Sequence, residues 1–431
     1  DTVGTCGLCI QFDFYAYEMS IIKEKVMEES KRRRVAILGA GPVGVEAALS
    51  AREQGFDVKL FERGEVGEHV RHWGHVQLFS PWSLNRSERG ERLLQEMGQE
   101  LEPEDAFPLG SEYVARYLEP LSKHPLLENC VYTHHEVISV ARAQVLKGEL
   151  IGDSARADVP FLMVVEDAQG VQSYHEADVV IDTTGSYGKP AALGPGGVGA
   201  IGERDCEVER YVPDMEDDSS FDYRGKRVLV VGAGYSAVTT LKLLRELNEA
   251  HPEAPAKVFW SWREAAAPYM EIEGDVLPQR AALARFGNEV SRGEVEGIEP
   301  CPMTQVWMFS REPGQDSTKV FLKDLKTHLI EEVVVDRVIA NVGYLPDTEL
   351  YRELQVHLCY ASEGPMKLAA SLLAASGGGG DCLAQTSAGV ETLLNPEPNF
   401  FILGAKSYGR GSAFLIRLGL EQIEQVMTLL S

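Results

Sequence analysis

Apolar positions along this chain fall twice into the same succession of patterns. VAILGAGPVGVEAALSAREQGFDVKLFE, residues 35–62, opens on an unbroken apolar run, crosses a glycine-rich turn, continues with apolar residues at helical spacing and closes on a second run. VLVVGAGYSAVTTLKLLRELNEAHPEAPAKVFWSW, residues 228–262, repeats that order. An apolar run without alternation is a strand buried on both faces, as in a parallel sheet. Strand, helix and parallel strand make a βαβ unit. The pattern predicts strands over VAIL and DVKLFE, joined by a helix from about Pro42 to Gln54 that Gly55 ends. In the second unit a helix to about Asn248 precedes the strand KVFWSW.

Between the units the period changes. Residues 64–85 lack helical spacing and read as a long functional loop, and RSERGERLLQEMGQ and SEYVARYLEPLSKH then read as helices. Alternating strands follow around Val131, Val137–Val145 and Phe161–Glu166, then a DAQG turn and a strand through ADVVIDTTG. These suggest a small antiparallel sheet feeding back into the parallel one. Residues 186–223, rich in Gly, Pro and acids, read as a linker. VWMFS, KVFL and EEVVVDRVIANVG add strands to the second unit; NFFIL is strand-like, and a closing helix is expected from Ser412. SGGGGD, at Ser376–Asp381, reads as a flexible loop.

With 431 residues, 44% hydrophobic and 25% charged, the chain has the bulk for two or three cores. No apolar run approaches the roughly 18 residues that span a bilayer, so no membrane association is expected. A formal charge of −25 opposes binding to nucleic acid, whose phosphates attract basic surfaces. Seven scattered cysteines lack framework spacing and fit reduced thiols, hence a cytoplasmic location. The aromatic opening segment is a poor signal peptide; natural translation is expected at Met19 or Met27, and Cys6 and Cys9 fall in a tail before the first strand.

The glycine turns carry the chemistry. Gly39, Gly41 and Gly44 in the first, and Gly232, Gly234 and Ala237 in the second, allow in order a tight turn, close approach of backbone to a pyrophosphate, and close helix–strand packing. The helix N-terminus behind each turn offers free N–H groups to phosphate. Glu62, with Arg63 beside it, ends the second strand where a carboxylate accepts ribose hydroxyls. The second unit ends instead on Ser261, Trp262 and Arg263, and a cation there suits the 2′-phosphate of NADP. Two dinucleotides on one chain imply electron transfer between a nicotinamide and a flavin.

GAGPVG with Glu62, DVVIDTTGSYGKP, FDYRGKRVLVVGAGYSA, VIANVGYLPD and NFFILGAKSYG, in that order, resemble the two-dinucleotide-binding flavoproteins. That group includes flavin-containing monooxygenases and pyridine-nucleotide disulfide reductases. The resemblance covers roughly residues 33–431. It implies an α/β fold: a Rossmann-like FAD domain with an inserted, second Rossmann-like NAD(P)-binding domain, and FAD and NADPH as cofactors. The expected parts are an N-terminal extension with the look of a disordered tail (1–32), an FAD-binding domain (33–190 and 345–431, the latter including Gly404) and an NADPH-binding domain (225–340).

Reductases of this group place a cysteine pair beside the flavin. Residues 64–85 hold no cysteine and residues 225–340 no CxxC; Cys359 and Cys382 flank a flexible stretch and remain an alternative pair. GKRVLVVGAGYSA and the closing GAK lean toward monooxygenases, although ERDCEVERYVPDMEDDSSFDYRGKR lacks the histidine of the classical fingerprint. The expected activity is therefore FAD-dependent, NADPH-using oxidation of a small organic substrate. The alternatives are a reductase of a disulfide, quinone or protein acceptor, and a dinucleotide-binding sensor without turnover.

HVRHWGHVQLFSPWSLN is the candidate for chemistry particular to this chain. His72 and His75 offer imidazole donors to a flavin oxygen, and Trp73 and Trp82 offer stacking faces, unless the loop is simply packed by aromatic anchors. HWGH has no further ligand cluster, so no metal is expected. Lys406 and Arg410 follow Gly404, where a cation facing the flavin would stabilise its reduced anion, or where both would be surface charges. A homo-oligomer is left open.

Overall fold

The computed structural model of the chain describes residues 32–215, 222–265, 267–312, 314–376 and 388–431. The start at Met19 or Met27, Cys6 and Cys9, the glycines of SGGGGD and Cys382 lie outside them.

Two parallel sheets carry the fold. The first runs β15 (Phe400–Ile402), β7 (Val179–Asp182), β1 (Arg34–Leu38), β2 (Asp57–Phe61), β3 (Val131–Tyr132). The second runs β10 (Ile298–Cys301), β9 (Lys257–Ser261), β8 (Arg227–Val231), β14 (Arg337–Ala340). Each is fed by a three-stranded antiparallel sheet: β4 (Glu136–Arg142), β5 (Phe161–Glu166) and β6 (Gln172–Ala177) before β7, and β11 (Thr304–Ser310), β12 (Thr318–Asp324) and β13 (Ile330–Val335) before β14. This is the expected α/β architecture, and the internal similarity reaches beyond the βαβ units.

The return from antiparallel to parallel sheet is pinned the same way twice. Asp178, between β6 and β7, accepts from the Arg34 amide at 2.8 Å and pairs with its guanidinium at 2.7 Å. Asp336, between β13 and β14, does the same with Arg227 at 2.9 and 2.7 Å. These half-exposed pairs contribute little to stability but fix where one ladder stops and the next begins. ADVVIDTTG and EEVVVDRVIANVG, each read as one strand, are for that reason split between two sheets.

Among the described residues eight α-helical elements pack around the sheets less regularly: α1 (Pro42–Glu53), α2 (Glu68–His72), α3 (Glu88–Glu96), α4 (residues 110–122, with a π turn), α5 (Tyr235–Ala250), α6 (Pro278–Ser291), α7 (Met366–Ser376) and α8 (Ile416–Leu430). The supposed loop 64–85 contains α2 and a 3₁₀ turn at Trp82–Leu84, both too short for a period to show. Helix α6 was hidden by buried polar residues, Arg280, Asn288 and Ser291, on the face where apolar ones are expected. Helix α1 is buried from Val43 to Ala51, Glu46 included, whose carboxylate accepts from Ser87 Oγ at 2.8 Å and from the Tyr117 hydroxyl. Glu397 is wholly buried between Arg142 at 2.7 Å and Arg156 at 2.9 Å, tying the closing segment to the first antiparallel sheet. Removing one partner of such a pair costs about 3–5 kcal/mol.

Candidate functional site: two glycine turns and the loop between them

In the first turn Gly39 adopts φ +93°, and a Cβ there would lie 3.0 Å from the Thr183 carbonyl oxygen and the Thr184 Cα. A Cβ on Gly44 would overlap the Gly39 carbonyl. A Cβ on Gly41 would meet nothing within 4 Å. Two of the glycines are thus demanded by the protein itself, while Gly41 opens onto free space at the start of α1. That helix has no side-chain cap, which leaves its first amides to an acceptor from outside the helix.

Glu62 bridges from the end of β2 back to this turn. Its carboxylate accepts from Ala40 N at 2.8 Å and Gly64 N at 2.9 Å, which fixes both oxygens and leaves each a lone pair. Burial pushes its pKa up, against the pull of those two amides. Arg63, half-exposed, donates to His69 Nε2 at 3.1 Å. Gly404, at φ +74°, donates its amide to Gln422 Oε1 at 2.8 Å beside Val43.

Lys406 is not an ordinary surface charge: it is 1% exposed. Its ammonium lies 2.6 Å from Asp182 Oδ2 and 3.0 Å from Thr184 Oγ1. Since Thr184 rests against Gly39, Lys406 bears on the first turn through Thr184. Arg410 is exposed and paired with Glu363 at 2.9 Å.

The second turn repeats the logic with different partners. Gly232 adopts φ +127°, and a Cβ there would overlap the Asn341 carbonyl oxygen; Gly234 opens onto free space; Ala237 is fully buried. Asn341 is held by Thr240 Oγ1 at 2.8 Å, and Trp260 Nε1 donates to the Gly232 carbonyl at 2.8 Å. Helix α5 likewise starts without a side-chain cap. Arg263, just past β9, is exposed and makes no ion pair with the described residues. Both cradles fit a dinucleotide, since each keeps open the one position that a pyrophosphate must approach.

The segment after the first unit reaches across to the second. Phe79 meets the Tyr235 ring edge-on at 5.5 Å, at the first position of α5, and Gln77 contacts Gln279 of α6. His75 Nδ1 stands 3.7 Å from Asp214 Oδ2, while its Nε2 is buried without a hydrogen-bond partner among the described residues. His72 is half-exposed, 3.2 Å from Glu68, and stacks on Tyr211 at 4.8 Å. Trp73 packs into the core around α1, with Gly110 giving room for its ring, and its Nε1 finds no acceptor among the described residues. Of the two readings left open for Trp82, stacking face or core anchor, the structure has the anchor: the residue is 3% exposed.

Sequence reasoning missed His69, Tyr187, Tyr211 and Tyr344, which form a ring cluster with His72, neighbouring centroids lying 4.6 to 6.4 Å apart. Each tyrosine sits where the chain crosses between sheets and is followed within three residues by proline: Tyr187 by Pro190, Tyr211 by Pro213, Tyr344 by Pro346. That repeated signature was the available signal.

The sequence model of the pyridine nucleotide-disulphide oxidoreductases matches residues 33–364. The chain belongs to that family. Its cofactors are FAD and NADPH, in agreement with the two open cradles. No curated protein matches the chain. Among solved structures it is similar to the bacillithiol disulfide reductase Bdr of Bacillus cereus, at 18% identity and TM-score 0.64 over 93% of this chain and 98% of that one. It is similar also to T. acidophilum thioredoxin reductase, at 18% identity and TM-score 0.54 over 93% and 100%. Ornithine N-hydroxylase of Kutzneria sp. 744 gives 15% identity and TM-score 0.58 over 92% and 99%. At these identities the likeness establishes the fold. Both disulfide reductases and hydroxylases share it, so the family's oxidoreductase chemistry is fixed while its acceptor is not. Among the described residues no helix is long and apolar enough to cross a membrane.

Proposed function

We propose that this flavoprotein is a monooxygenase-like enzyme: NADPH supplies two electrons, one atom of dioxygen enters a small organic substrate and the other leaves as water. The state of the thiols carries this reading. The four described cysteines, Cys130, Cys206, Cys301 and Cys359, are all free. Burial pushes the Cys130 and Cys206 thiols up and takes Cys301 to about 12, so three of them are held protonated and poorly nucleophilic.

Bound FAD would accept hydride from NADPH and pass the electrons onward. Gly39, Gly41 and Gly44 with the amides of α1 would hold its pyrophosphate, Glu62 its ribose, and Arg63 and Gly404 would border it. Gly232, Gly234 and Ala237 with α5 would hold NADPH, and Arg263 its 2′-phosphate. His72, the half-exposed imidazole of its loop, would face the substrate. Trp73 and His75 would set the loop's position from the side of the core, and Lys406 would hold Thr184 against the first turn. The FAD-binding domain would comprise residues 33–190 and 345–431, and the NADPH-binding domain residues 225–340.

One observation favours a reductase as the second reading. Hydrogen bonds from Ser362 and the Ala361 amide lower the Cys359 thiol, the one described cysteine so favoured as thiolate. NADPH consumption by the FAD-loaded protein separates the two. Turnover that needs dioxygen and survives thiol alkylation supports the oxygenase. Anaerobic turnover with an added disulfide, abolished by alkylation, would overturn it.

A further inference from the structure

The hydrogen bonds around His69 settle which of its nitrogens carries the proton. Arg63 Nη2 lies 3.1 Å from His69 Nε2, and a guanidinium only donates, so Nε2 is the acceptor. The ring proton of the neutral imidazole is therefore on Nδ1. Nδ1 lies 2.9 Å from the Tyr211 hydroxyl oxygen, which must accept it. The hydroxyl proton of Tyr211 is then left to donate elsewhere. Tyr211 is only half-buried, and no second hydroxyl partner is found among the described residues.

We propose that Tyr211 is a ligand-contacting hydrogen-bond donor, oriented by Arg63 through His69, and that its partner is a planar heteroaromatic ring bearing a carbonyl or ring-nitrogen acceptor. Its surroundings select that class. The His72 ring lies 4.8 Å away at 19°, and Tyr187 6.2 Å away at 9°, so flat faces border the hydroxyl. The carboxylates of Glu68, Glu209 and Glu136 face the cluster and disfavour an anion, while Arg63 is already engaged by His69 and Glu136. Burial and the Arg63 charge hold His69 near pKa 4, which keeps the imidazole neutral and the relay direction fixed at neutral pH. His72 adds to that effect and Glu68 opposes it. The backbone of Tyr211 is itself anchored: its amide donates to Glu209 at 2.9 Å and its carbonyl accepts from Asn341 at 3.3 Å, the residue behind the second glycine turn.

FAD and NADPH both carry rings of this class, and the inference rests on the reading that the two turns hold them. The test compares wild type with Tyr211→Phe, His69→Ala and His69→Asn, measuring the Kd of FAD for apoprotein and of NADP⁺ for FAD-loaded protein. Tyr211→Phe should weaken one dinucleotide about two- to tenfold, the range for one neutral hydrogen bond, and leave the other unchanged. The dinucleotide affected identifies the ring. His69→Ala should reproduce the loss, and His69→Asn, whose amide N–H replaces Nδ1–H, should restore affinity. A purely structural role would not distinguish those two variants. Unchanged affinities in both Tyr211→Phe and His69→Ala would overturn the assignment, as would equal losses in His69→Ala and His69→Asn. Failure of the wild type to bind either dinucleotide would instead overturn the cofactor reading, and this inference with it.

Discussion

The two glycine turns solve one backbone problem and differ at the far end of the second strand. In both, the first glycine takes a positive φ because backbone from a neighbouring strand end occupies the place of a side chain: Thr183 and Thr184 behind Gly39, Asn341 behind Gly232. In both, the middle glycine opens onto free space. The first turn is then closed by Glu62, an acceptor locked by two amides, whereas the strand of the second is followed by Arg263, an exposed cation. On the proposed reading the backbone would select a dinucleotide, and the side chain after the second strand would select which one. It also separates glycines that the fold needs from glycines that the ligand needs, a distinction that the motif alone does not make.

The sharpest way to break that distinction is to fill the two kinds of position. Gly44→Val should destabilise the fold itself by about 3 kcal/mol or more, since its Cβ overlaps the Gly39 carbonyl, and thermal unfolding would read it. A Tm equal to wild type would mean that the turn yields easily and the distinction fails. Glu62→Gln should keep the fold but lower FAD affinity by up to about a hundredfold, because an amide presents only one acceptor where two N–H groups now bond. Unchanged flavin retention on gel filtration would remove Glu62 from the site. Arg263→Ala should raise the KM for NADPH about tenfold and leave that for NADH alone, the size of one charged hydrogen bond near solvent. Steady-state kinetics with both nucleotides checks this; parallel changes in both KM values would count against it.

The smallest expected effect is one of pH. His69 is depressed to about 4 in the folded chain, so the unfolded chain binds more protons between that value and its ordinary 6.5. Its contribution to stability is complete above about pH 6.5 and is lost as pH falls toward 4. The difference in Tm between wild type and His69→Asn should shrink across that window. A difference that stays constant from pH 7 to 4 would show that His69 does not titrate as its surroundings imply.

What was legible in the sequence is what short stretches of backbone enforce. The glycine turns, their strands and Glu62 announce themselves because a tight turn, a buried run and an acid at a strand end are each set within about thirty residues. Lys406 was legible as a candidate but not as a buried residue. GAKSYG looks polar and open, yet Lys406 is buried against Thr184, 222 residues earlier in the chain. The cluster of His69, Tyr187, Tyr211 and Tyr344 was missed for the same reason, being assembled from helix α2 and three separate crossings between sheets. Asp178 and Asp336 look like solvated charges inside strands, and only their capture by Arg34 and Arg227 shows them to be the places where one sheet hands over to the next.

One paired substitution tests the account most directly. Gly41 and Gly234 both have extended backbone, which any residue adopts, and both face open space, so tryptophan at either should leave the apoprotein folded. Bound flavin and NADPH-dependent bleaching of its absorbance would be recorded for Gly41→Trp and Gly234→Trp. The account predicts that Gly41→Trp loses FAD, whereas Gly234→Trp keeps FAD at wild-type stoichiometry and is no longer reduced by NADPH. Retention of FAD by Gly41→Trp, or its loss from Gly234→Trp, would contradict the assignment of one cofactor to each turn.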